Sequence, residues 1–183
     1  MNKLVKKFAV GTLAVGLAAG AFAPSALAAS QDVESTITGG TLSLDAPTIQ
    51  TFSGVELNGA IQTSTASIDE FTVKDARGSG EGWKLSVSST QLTNGTNTLP
   101  AGSLKITEPT LTAGEGSDDL STVNVLSGAI DNESGVKLLS AETDGGMGTY
   151  TVSGSNLNIN LQPKDAKAGT YSSTVTFNLT TGP

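Results

Sequence analysis

From residue 37 onward, apolar side chains alternate with polar ones at a period of two, and glycine, proline, asparagine or aspartate interrupts the alternation every few residues. A period of two sends successive side chains to opposite faces of an extended strand, whereas a helix needs a repeat near 3.6. The chain is therefore expected to be all-β, with the interrupting residues at its turns. Strands are predicted over 37–44, 68–75, 83–89, 103–107, 123–126, 136–139, 149–153, 157–161 and 170–180. Threonine and serine fill the polar positions, and threonine has good strand propensity. Segments 112–119 and 142–148 are acidic and glycine-rich and read as loops, while residues 29–35 read as a polar tail.

Two of these strands can be oriented. Trp83, Leu85 and Val87 share one face, opposite Lys84, Ser86 and Ser88. The last strand sets Tyr171, Val175, Phe177 and Leu179 against Ser172, Thr174, Thr176 and Asn178. One apolar face per strand is what two sheets packed over a shared core require. Asp165, Gly169 and Tyr171 also follow the spacing of a tyrosine corner, in which the hydroxyl bonds back to the turn backbone. The specific expectation is an immunoglobulin-like Greek-key β-sandwich. Just before Trp83, the loop 75–82 holds three glycines in five residues, which predicts positive φ angles. That loop carries Asp75, Arg77 and Glu81 beside the only tryptophan.

Composition removes most catalytic chemistry. Without cysteine there is no disulfide, lipid-anchoring thiol or thiolate metal site, and without histidine there is no Ser-His-Asp machinery. Asp69 and Glu70 are adjacent on a strand, face opposite ways and cannot flank one glycosidic bond. No enzymatic activity and no cofactor are expected. The acidic groups Glu115, Asp118 and Asp119, then Asp131 and Glu133, then Asp144 lack the twelve-residue EF-hand pattern, and they read as solvated loops without a metal, with a bound calcium ion as the alternative reading.

At the N-terminus, Lys3, Lys6 and Lys7 precede an apolar run from Phe8 to Ala23, then Pro24 and the small-residue site Ala26-Leu27-Ala28. This is the pattern of a secretory signal peptide cut after Ala28, too short and broken for a membrane span. The organisation predicted is thus a leader over 1–28 and one domain over 29–183. Cleavage would remove three of the ten basic residues and none of the seventeen acidic ones, leaving a net charge of -10. Such a balance disfavours nucleic acid and anionic lipid and points to glycans or protein surfaces as partners. No apolar stretch after Ala29 is long enough to span a bilayer, and no hydrophobic sorting segment precedes Pro183, so neither a membrane nor a covalent wall anchor is expected.

Three sets of residues resemble the WxL-domain surface proteins of Gram-positive bacteria. Thr38-Gly39-Gly40-Thr41-Leu42-Ser43-Leu44, followed by Ala46-Pro47 and Phe52, is similar to that domain's opening. Asp75-Ala76-Arg77-Gly78 leading to Gly82-Trp83-Lys84-Leu85-Ser86-Val87 resembles its proximal motif, with the naming Trp-x-Leu at 83–85. Tyr171, Val175 to Leu179 and Pro183 match the spacing of its distal motif, except that Phe177 stands where the family has a second tryptophan.

The resemblance implies non-covalent attachment to the bacterial cell wall, with peptidoglycan or another wall polymer as ligand, and participation in complexes with larger surface proteins. It implies no enzymatic activity. Trp83, Leu85, Tyr171 and Phe177, with Arg77 and Lys84, are the candidate binding residues, since aromatic rings stack on sugars while charged groups satisfy their polar substituents. The stripe they share with Val87, Val175 and Leu179 equally suits a core, so Trp83 and Phe177 are either packing or contact residues, expected near each other in space. A second reading is a secreted fibre or adhesion subunit that assembles through edge strands.

Overall fold

The computed structural model describes residues 29–183, and the predicted leader over 1–28 lies outside them. Residues 29–36 carry no regular secondary structure and are exposed. Ile37–Pro183 forms a compact unit. Its strands are β1 (Leu42–Leu44), β2 (Gln62–Ser67), β3 (Phe71–Asp75), β4 (Trp83–Ser89), β5 (Leu104–Ile106), β6 (Thr110–Ala113), β7 (Val123–Val125), β8 (Gly128–Ala129), β9 (Val136–Ala141), β10 (Gly148–Ser153), β11 (Asn156–Leu161) and β12 (Val175–Thr181), with one 3-10 turn at Leu120–Thr122.

The all-β expectation holds. The strands form three four-stranded antiparallel sheets, ordered β1-β3-β10-β6, β2-β11-β5-β8 and β12-β4-β9-β7, where an immunoglobulin-like sandwich has two. Burial follows the sequence alternation. Trp83, Leu85 and Val87 of β4 are fully buried, as are Tyr150 and Val152 of β10 and Leu157 of β11. The β12-β4-β9-β7 sheet packs on the β1-β3-β10-β6 sheet through two aromatic pairs. Phe177 meets Phe71 edge-on at 6.0 Å, and Trp83 meets Tyr150 at 6.0 Å with a 53° tilt. Leu104, Ile106, Leu157 and Ile159 of the third sheet complete the same core.

Three expectations are corrected. β1 begins at Leu42, and β12 at Val175, because residues 37–41 and 170–174 do not enter ladders of several residues. The tyrosine corner does not form: the Tyr171 hydroxyl is buried and has no hydrogen-bond partner among the described residues. Not every acidic loop residue is solvated, since buried Asp131 accepts from the backbone N–H of Gly102 at 2.8 Å and of Leu104 at 2.9 Å, pinning the start of β5. The strands missing from the sequence reading, β2, β6 and β8, present mostly small or polar side chains. Ser64 and Ala66 fill the buried positions of β2, and an apolar alternation cannot register them.

Candidate functional site

The proximal and distal motifs are neighbours. β4 pairs with β12 along its whole length, with Trp83 opposite Thr181, Leu85 opposite Leu179 and Val87 opposite Phe177. The motifs therefore form one ladder, but Trp83 stands at one end of it and Phe177 four pairs away, opposite Val87. Four residues of strand separate their levels, roughly 13 Å along β4. Each ring instead packs across to the facing sheet.

Trp83 and Leu85 offer no accessible surface. The Trp83 indole N–H donates to the Gly146 carbonyl at 2.8 Å, so the ring's one polar atom is satisfied in the core. Gly146 has φ +73°, and a Cβ there would lie 2.7 Å from the Trp83 indole nitrogen and 2.2 Å from the Ala141 Cβ. Only glycine lets this loop close over the ring. Phe177 and Tyr171 are half-buried against the core.

Arg77 organises the loop that leads into Trp83. Its guanidinium donates to both carboxylate oxygens of Asp75, at 2.9 and 2.8 Å, to the Gly82 carbonyl at 2.8 Å, and to Glu81 Oε2 and Thr181 Oγ1 at 3.1 Å each. The Asp75 side chain is 1% exposed and that of Arg77 14%. The hydrogen bonds from Arg77 hold the Asp75 carboxyl below the usual carboxylate range and keep the guanidinium charged. Gly40 N–H donates to the Ala76 carbonyl at 2.7 Å and Ala76 N–H to the Thr41 carbonyl at 3.1 Å, which brings the opening segment to the same loop. All three motif segments thus meet at Arg77. The spacing 75–82 announced a shaped loop, and Gly78, Gly80 and Gly82 do adopt positive φ. What sequence could not show was that the clamp reaches Thr181.

The outward face of the motif sheet is polar. Thr176, Asn178 and Thr180 of β12 lie beside Ser88, Ser86 and Lys84 of β4, and these beside Lys137 and Ser140 of β9 and Asn124 of β7, with Ser140 and the Thr180 hydroxyl buried and the others at least partly open. Hydroxyls, amides and two ammonium groups populate this face without a carboxylate, although acidic residues outnumber basic ones in the chain. Lys84 Nζ donates to the Pro183 carbonyl at 3.1 Å. Lys137 and Asn124 were not singled out from sequence. The alternation of β9 was legible, but the shift in its register beside Leu85 and Ser86 was not.

Elsewhere, among the described residues, no three acidic side chains converge as a cation site. Asp119 caps the 3-10 turn by accepting from the Ser121 N–H, which lowers its carboxyl pKa, and Asp118 accepts from the Met147 N–H at 2.8 Å. No helix among these residues is long and apolar enough to cross a membrane.

A family model for the WxL domain, described as surface cell wall-binding, matches residues 24–183. Comparison with curated proteins and with solved structures found no match.

Proposed function

The chain belongs to the WxL family of surface cell wall-binding domains, and from that premise we propose that it is an exported domain held on the wall of a Gram-positive cell by reversible, non-covalent contact with peptidoglycan. The family match across almost the whole chain is the observation that carries this reading. It is a family of wall-binding domains, not of enzymes. Export rests on the leader pattern of residues 1–28, and display of larger surface proteins on the family resemblance.

We assign the wall contact to the outward face of the motif sheet. Lys84 and Lys137 there suit the carboxylates of peptide stems, and the threonine, serine and asparagine side chains suit glycan hydroxyls and acetamido groups. Arg77 is committed to Asp75, Gly82, Glu81 and Thr181, and so positions this sheet instead of meeting the ligand. Trp83 and Leu85 set the same sheet from within the core, and Tyr171 and Phe177 line its inner side.

Exported protein added from outside should coat Gram-positive cells and come off in denaturant or concentrated salt. Retention through boiling in detergent would exclude a non-covalent attachment. A mature N-terminus found by mass spectrometry at Met1 would exclude the leader.

A further inference from the structure

An apolar cleft of about 880 Å³ opens between the segment 49–57 and the segment 166–175. Its walls include Phe52, Val55, Leu57, Leu161 and Tyr171, and its floor is the buried face of β5 and β11. Two further features stand outside the wall contact assigned above. The Tyr171 side chain lines this wall, while its hydroxyl is buried behind it without a hydrogen-bond partner among the described residues. Val33 and Ile37 are each 93% exposed, in an arm over 29–38 without regular secondary structure.

We propose that the arm of one copy docks into the cleft of a second copy. In an extended arm Val33 and Ile37 project from the same face, with Asp32, Glu34 and Thr36 on the other. Ten residues of extended chain reach roughly 33 Å, long enough to leave one fold and enter another. The cleft ends at Val175, the first residue of β12, which is an edge strand with a ladder on one side only. An arm entering there gains backbone partners along that free edge while its two apolar side chains fill the cleft, as in strand addition. Charge agrees on one side, because Lys167 lines the cleft and the arm carries Asp32 and Glu34, with Glu56 the single opposing carboxylate in the lining. Donor and acceptor surfaces differ, so the contact is head-to-tail and propagates into chains of copies unless the rotation closes a ring.

The test is the mass of the exported protein in solution, by light scattering over a concentration series. Wild type should give dimers and larger species that grow with concentration. The double variant Val33→Asp, Ile37→Asp should stay monomeric with an unchanged melting midpoint, since neither side chain is packed, and Kd should rise by about 100-fold or more. Leu57→Asp, on the exposed wall of the cleft, should also be monomeric. Mixing the arm variant with the Leu57 variant should restore a dimer that neither forms alone, one supplying the cleft and the other the arm. Monomeric wild type at every concentration overturns the proposal, including the case where the arm resists protease because it closes on its own cleft. Association that survives the arm substitutions overturns it too.

Discussion

Replacing Trp83 with alanine separates the packing role of the motif tryptophan from a contact role. The ring is wholly buried, stacked at a tilt on Tyr150 and hydrogen-bonded to the Gly146 carbonyl. Truncation removes the buried ring at a cost of about 3–5 kcal/mol and leaves the carbonyl unsatisfied at about 1 kcal/mol more. A loss of roughly 5 kcal/mol in a unit of this size lowers the melting temperature by about 10–20 °C and consumes much of the 5–15 kcal/mol typical of a domain. Trp83→Phe keeps most of the packing and should cost about 2 kcal/mol. Urea unfolding, followed by circular dichroism, gives both values, and wild-type indole emission should be blue-shifted and poorly quenched by acrylamide. In wall pull-downs, Trp83→Phe should bind like wild type at temperatures where it is folded. Wild-type stability of Trp83→Ala combined with lost wall binding would refute the packing account and make the ring a ligand contact.

Other substitutions probe the rest of the site. Arg77→Ala strands the nearly inaccessible Asp75 carboxylate and should cost about 3 kcal/mol in chemical denaturation. Because Arg77 depresses the Asp75 pKa, the stability this group contributes is complete above its unfolded value near 3.9 and is lost as pH falls through its lower folded value. Unfolding midpoints measured across pH 2–5 should therefore decline toward acid less steeply in Asp75→Asn than in wild type, about that carboxylate range. Gly146→Ala forces a Cβ against Ala141 and the Trp83 indole, so its melting midpoint should fall and the indole emission shift. Lys84→Gln with Lys137→Gln should leave the unfolding free energy within about 0.5 kcal/mol of wild type but weaken wall retention in salt-titrated pull-downs.

The fold class was legible because large apolar residues alternate in β4, β10, β11 and β12, and that alternation matches the observed burial. Strand β4 was bounded correctly at both ends, where Gly82 closes the loop before it. The third sheet was only half visible, since β2 buries Ser64 and Ala66 and β8 is a two-residue strand. The motif residues were legible as a set, but which of them are buried was not. Alternation put Trp83 on an apolar face without saying whether another sheet covers it. Tyr150, which does cover it, lies 67 positions later in a strand whose partner no local pattern specifies. That the Arg77 guanidinium reaches Thr181 was not legible either, because this bond depends on the β4–β12 pairing.

Co-sedimentation of the exported protein with washed peptidoglycan, beside walls that keep their secondary polymers, tests the central claim most directly. The protein should pellet with peptidoglycan alone, saturably, and return to the supernatant in denaturant, whereas folded protein that stays in the supernatant with peptidoglycan at every concentration would contradict the assignment.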